Sequence, residues 1–113
     1  MTVLNRHSDF LSLQHSGKRL FLSNWMSVNL KKNEMGQFRC GWTLSRKVGS
    51  AVTRNKLKRW CREYFRTQIK TSEPFVDLNV VLRVRDKDFY RNLTYNEFRK
   101  CLDKAWGHAL QTN

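Results

Sequence analysis

Acid–base or metal-assisted chemistry by side chains needs carboxylates or histidines brought together, and this chain supplies few of either. Asp and Glu total 9 of 113 residues, and His totals 3. Asp86 and Asp88 come nearest to a carboxylate pair. Lys87 stands between them and Arg85 and Arg91 are close by, so they read as a solvated or salt-bridged loop. His7, His15 and His108 fall near the chain ends with no common site. Cys40, Cys61 and Cys101 form no CxxC pair and no Cys/His cluster of the kind zinc takes. They are odd in number, far apart and set among apolar neighbours, which reads as buried thiols. The expectation is a chain with no catalytic residue and no metal ligand of its own.

The basic residues, in contrast, are organised. Residues 45–66 read SRKVGSAVTRNKLKRWCREYFR. On a helical wheel at about 100° per residue, Leu57, Trp60, Cys61, Tyr64 and Phe65 share one arc. Arg54, Asn55, Lys58, Arg59, Arg62 and Arg66 fill an adjoining arc of about 140°, and Lys56 and Glu63 lie behind both. Like charges three and four residues apart each cost a few tenths of a kcal/mol, roughly, in an isolated helix. A phosphate backbone turns that repulsion into attraction through counterion release. Arginine also grips phosphate or a guanine edge with two parallel donors, which lysine cannot do. Asn55 adds a donor and an acceptor that suit a base or a sugar. Ser45, Arg46 and Lys47 extend the basic surface, and the loop opened by Gly49 offers backbone N–H groups to phosphate.

The whole composition leans the same way. Lys and Arg total 22, the net charge is +13 and the isoelectric point is about 10.3. A small domain so charged repels itself unless a polyanion neutralises it. No stretch approaches the roughly 18 apolar residues of a membrane span, and the N-terminal residues lack the apolar region of a signal peptide. The chain reads as cytoplasmic. A length of 113 residues, 40% of them hydrophobic, suits one domain spanning 1–113 with one packed core.

The elements that must position these residues follow from periodicity. Ser8 is placed to cap a helix through Ser16, with Gly17 as its stop. Residues 20–30 read as a strand, and Asn33–Gly36 as a turn. Phe38, Cys40, Trp42 and Leu44 then alternate with Arg39, Gly41, Thr43 and Ser45, the period of a strand. The period becomes helical after Gly49, Pro74 ends the next connector, and residues 76–85 read as another strand. Thr94 and Glu97 form a capping box. The helix it opens repeats Phe98, Cys101, Leu102, Ala105, Trp106 and Ala109 on one face. Helix, two or three strands, helix, strand, helix describes an α+β sandwich around a single sheet.

The run Arg54-Asn55-Lys56-Leu57-Lys58-Arg59, with Arg62-Glu63 and Phe65-Arg66, resembles the signature helix of the bacterial ribonuclease P protein family, R-N-x-x-K-R-x-x-R-E-x-F. Gly41 to Gly49 (GWTLSRKVG) resembles that family's strand and basic turn, and the likeness extends over nearly the whole chain. It implies one mixed sheet of about four strands, with a left-handed crossover between parallel neighbours. It implies a non-catalytic protein subunit of an endoribonuclease that removes the 5′ leader of precursor tRNA. The partners would be the catalytic ribonuclease P RNA, bound one to one by a monomeric protein, and the precursor tRNA. Magnesium would be held by the RNA. By the same resemblance Arg54, Asn55, Lys56, Lys58, Arg59, Arg62 and Arg66 face RNA, and Ser45, Arg46 and Lys47 enlarge that face. Leader contacts would fall to Phe10, Gln14, Val28, Lys18 and Arg19. Gln14 and Val28 stand where the family often has aromatics, which leaves the leader preference open.

Three other readings compete. A structural RNA-binding protein of ribosomal type fits charge and size, but has no need of the dense motif after a strand. A DNA-binding protein using residues 53–66 as a recognition helix would need a preceding helix and tight turn, where residues 38–45 read as strand. A membrane-surface role would take away the aromatic face that the core requires.

Overall fold

The basic residues ride on a helix whose ends are set by local chemistry. In the computed structural model, which describes residues 2–69 and 73–112, this helix is α2 (Ala51–Gln68). Ser50 caps it, its hydroxyl accepting from the Thr53 N–H at 3.3 Å, one of the donors a helix start leaves unmatched. Ahead of it lie β1 (Thr2–Val3), α1 (His7–Ser16), β2 (Lys18–Phe21), β3 (Met26–Lys32), β4 (Arg39–Thr43) and a short 3-10 turn (Arg46–Val48). Behind it come β5 (Val76–Leu82), α3 (Phe89–Asn92) and α4 (Tyr95–Gln111).

The strands form one mixed sheet in the order β1-β4-β5-β3-β2. β1 and β5 run parallel to β4, while β3 is antiparallel to both β5 and β2. Parallel neighbours need a crossover, and α2 supplies it between β4 and β5. The architecture is the α+β class with a single mixed sheet, as expected, but the sheet has five strands where about four were expected. The extra one is β1, whose Thr2 and Val3 pair with Arg39 and Cys40. Two residues are too short a run for periodicity to show. The stretch 20–30 is also two strands rather than one. Ser23 turns the chain between them, its hydroxyl accepting from the N–H groups of Trp25 and Met26 at 3.2 and 3.0 Å. The strand read over 76–85 stops at Leu82. The first helix starts at His7 with Arg6 in the cap position and no side-chain cap, so Ser8 is not its cap.

The sheet separates two layers of helix. Met26, Val28 and Leu30 of β3, Cys40 of β4 and Val76, Leu78, Val80 and Leu82 of β5 face the main core. There they meet Leu57, Cys61, Tyr64 and Phe65 of α2 and Phe98, Cys101, Leu102, Ala105 and Ala109 of α4. The expected face of α4 is therefore the buried one, and its capping box is complete at Thr94 and Glu97. Rings bind the layer: Trp60 packs on Phe98 and Tyr95, and Trp25 on Phe98 and Tyr90. The Tyr64 hydroxyl donates to Asp103 of α4 at 2.5 Å. All three cysteines are buried.

The opposite face carries α1 alone. Gly17 ends it where the chain must pass close, because a β-carbon there would stand 2.4 Å from the Leu13 carbonyl oxygen. Three contacts tie α1 to the sheet besides the buried Leu13. Arg39 donates twice to Asp77, at 2.8 and 2.6 Å, and lies 3.5 Å from Asp9 of α1. Lys31 donates to Ser12 at 2.8 Å and Ser16 at 3.3 Å. Phe10 rests on Gly41 of β4.

Candidate nucleic-acid interface

With Leu57, Cys61, Tyr64 and Phe65 committed to the core, the helical repeat forces the polar residues outward. Asn55, Arg59, Arg62 and Arg66 are all exposed and recur at steps of four, three and four, one stripe along a helix about 27 Å long. Arg54 and Lys58 flank it, half-buried. Arg54 is partly spent on structure, since its Nε donates to the Gly49 carbonyl at 3.2 Å. Arg62 lies over the Trp42 ring, 5.6 Å from its centre, which places the guanidinium beside the sheet. Among the described residues the ion pairs involve Arg39, Arg91 and Arg99, and none uses an arginine of this stripe.

Ser45, Arg46 and Lys47 are exposed at the head of α2 and continue the basic surface. The loop's N–H groups are a different matter. Lys47 donates to the Ser45 hydroxyl, Val48 to the Ser45 carbonyl and Gly49 to the Arg46 carbonyl, at 3.3, 3.1 and 3.4 Å. Those donors build the 3-10 turn, so this loop offers side chains to an anion rather than its backbone. Lys56 stands apart as well. Its ammonium donates to the carbonyls of Tyr90 and Arg91 at 3.0 and 3.4 Å and lies 4.9 Å from the centre of the Trp60 ring. Burial lowers its pKa from the ordinary lysine value. The wheel places Lys56 behind the ridge, and the structure uses it to join α2 to α3.

A second concave surface lies on the α1 face of the sheet. It is a cleft of about 450 Å³ lined by His7, Phe10, Gln14, Arg19, Asn29, Thr43, Asn79 and Val81. Phe10, Gln14 and Arg19 line this cleft together. Val28 does not. It is fully buried on the core face between Met26 and Leu30, and its neighbour Asn29 occupies the cleft instead. A strand turns successive side chains to opposite faces, so one residue of register decides the matter. Lys18 is exposed but pairs with Leu30, which puts it on the core-side face of β2 and away from the cleft. Asn79 was missed at the sequence level, although it is one of two polar residues in the otherwise apolar β5 (VDLNVVL). It is buried, and its amide donates to Thr43 at 3.0 Å. The other, Asp77, holds Arg39. The pairing keeps that guanidinium charged, its pKa raised above the ordinary value by the hydrogen bond to Asp77.

Amides, a hydroxyl, an imidazole, one aromatic ring and one guanidinium around an open cleft suit unpaired bases, which present both a ring face and polar edges. The acids supply nothing comparable. Asp88 takes a left-handed backbone (φ 70°) at the start of α3 and lies 3.7 Å from Arg91, an exposed local pair. Among the described residues no three His, Cys, Asp or Glu side chains are grouped to hold a metal ion. No described helix is long and apolar enough to cross a membrane.

Comparison with known proteins is consistent over the full length. The family model Ribonuclease P matches residues 2–110. The chain is 28% identical over 109 residues to a ribonuclease P protein component of Fusobacterium nucleatum, covering 96% of this chain and 97% of the relative. It is 32% identical over 108 residues to that of Dictyoglomus turgidum, covering 94% and 87%. Among solved structures it resembles the RNase P protein of Staphylococcus aureus, with a TM-score of 0.82, 26% identity and coverage of 100% and 99%. The RNase P protein of Thermotoga maritima gives a TM-score of 0.81 with 29% identity and the same coverage.

Proposed function

The chain belongs to the ribonuclease P protein family, and on that premise we propose that it is the RNA-binding protein subunit of a bacterial-type ribonuclease P, assisting removal of the 5′ leader from precursor tRNA in the cytoplasm. One observation supports this reading above others. The exposed face of α2 is a continuous stripe of Asn55, Arg59, Arg62 and Arg66 whose arginines have no acidic partner among the described residues. Such a face is at its lowest free energy against a phosphate backbone. On this reading α2, with Ser45, Arg46, Lys47, Arg54 and Lys58, docks on the catalytic RNA as one monomer per RNA. The cleft under α1 takes the single-stranded leader, Phe10 stacking on a base while Gln14, Asn29 and Arg19 contact edges and phosphate.

On this reading the phosphodiester cleavage falls to the RNA, where bound magnesium would supply the activated water. The protein's share is electrostatic and positional: it neutralises phosphates where RNA and substrate crowd together and fixes the leader's direction. Lys56 has a structural role in this scheme.

A competition assay separates this function from general RNA binding. Labelled bacterial ribonuclease P RNA bound to the protein is challenged with a ribosomal RNA fragment of equal length at moderate salt. The proposal expects the ribosomal fragment to compete far more weakly than unlabelled ribonuclease P RNA. Equal competition would place the protein among general structural RNA binders.

A further inference from the structure

Phe21 is a large apolar side chain left in the open, 61% exposed. It lies on β2 in the cross-strand row Phe21, Ser27, Val81 and Thr43, and Thr43 and Val81 line the cleft. Phe21 therefore shares the face on which Phe10 and α1 sit. Two guanidiniums attend its ring, with the Arg19 Cζ 5.2 Å and the Arg83 Cζ 4.9 Å from the ring centre. Arg19 belongs to β2, and Arg83 directly follows the end of β5. The backbone of Arg83 is pinned: its N–H donates to the Trp25 carbonyl at 2.9 Å, and its carbonyl accepts from the Tyr90 hydroxyl. An exposed ring that gathers two cations is a poor fit to water. It fits a ligand that has flat faces and repeated negative charge.

We propose that Arg19, Phe21 and Arg83 form a second stacking step, which takes an unpaired nucleotide of the leader beyond the segment held in the cleft. The ring receives the base, and the two guanidiniums pair with the phosphates on either side of it. This rests on the reading that the cleft binds the leader. Phe10 sits over β4 and Phe21 stands on β2, three interstrand spacings away, about 14 Å. A few linked nucleotides cover that distance, and Asn79 and Asn29 lie along it. The step also supplies a second aromatic to a face where Gln14 has replaced the one implied by the resemblance.

The test is equilibrium binding of precursor tRNA by the holoenzyme reconstituted with a bacterial ribonuclease P RNA, using leaderless, short-leader and long-leader substrates. Phe21→Ala should lose about tenfold in affinity for the long leader, by the usual worth of a base stacked on an aromatic, and little for the short one. Phe21→Tyr should retain wild-type affinity. Arg83→Gln should lose affinity for the long leader and show a shallower salt dependence, and it reads the same contact if Phe21→Ala folds poorly. If Phe21→Ala and Arg83→Gln bind the long leader as wild type does while Phe10→Ala weakens it, the second step is wrong and the cleft reading stands. If the wild-type holoenzyme does not distinguish leaderless from long-leader substrate, both fall together.

Discussion

Phe10 packs against Gly41 so closely that a β-carbon on the glycine would stand 3.0 Å from Cε1 of the ring and 3.2 Å from its Cζ. The glycine thus sets how near α1 approaches the sheet, and with it the depth of the cleft. A larger residue must push Phe10, and α1 with it, against the anchors at Arg39 and Lys31. Gly41→Val should cost about 1–3 kcal/mol, the usual range for an overpacked site. Urea unfolding measures it, and a midpoint equal to wild type would show that α1 yields freely.

Arg59 is exposed at the middle of the α2 stripe. Arg59→Ala should weaken binding to ribonuclease P RNA and reduce the slope of log affinity against log salt by about one phosphate contact. Titration over a series of salt concentrations gives the slope. An unchanged slope would mean that Arg59 touches no phosphate.

Lys56 should behave in the opposite way. Its donors go to the carbonyls of Tyr90 and Arg91, so Lys56→Ala removes a charged tie between α2 and α3. The expected loss is about 1 kcal/mol of stability, discounted for partial exposure, with the salt slope nearly intact. A reduced slope without a stability loss would return Lys56 to the RNA-facing set.

Buried thiol and phenol groups predict an alkaline limit to stability. Burial pushes the Cys40 thiol from 9.0 up to about 12, and the Tyr90 hydroxyl from 10.0 to about 12. In both cases the folded-state value is raised, so the unfolded chain loses its proton first. Stability is fully present below about pH 9 and falls between about pH 9 and 12. Each group contributes at most about 1.4 kcal/mol per pH unit across its window. Urea midpoints against pH should decline from about pH 9, and Cys40→Ala should flatten the first part of that decline. A variant whose curve runs parallel to wild type would remove Cys40 from the account.

The parts of this fold legible in the sequence were those with many turns of one period. α2 and α4 each run for more than four turns and repeat an apolar face, from Leu57 to Phe65 and from Phe98 to Ala109, and the Thr94 capping box marks where α4 starts. Short and ambiguous features were hidden. β1 is two residues long and gains its identity only by pairing with β4. The turn at Ser23 sits between Leu22 and Trp25, both apolar, so the chain from 20 to 30 looks like one strand. The left-handed backbone of Asp88 and the single turn of α3 leave no periodic trace. The site divided the same way. The basic stripe follows from the helical repeat alone, but the cleft depends on strand register. Val28 and Asn29 are neighbours in sequence, and their places were decided by which of them continued the Met26 and Leu30 face. Lys56 shows a further limit, since its positive charge is in the chain but the carbonyls that engage it belong to a segment 34 residues away.

The measurement that bears most directly on the central claim is cleavage of a precursor tRNA by a bacterial ribonuclease P RNA at low magnesium, with and without this protein. Cutting at the mature 5′ end should be stimulated, with none by the protein alone and the stimulation lost when Arg59 and Arg62 are both changed to alanine. Tight RNA binding without stimulation, with a cognate RNA supplied, would contradict the claim.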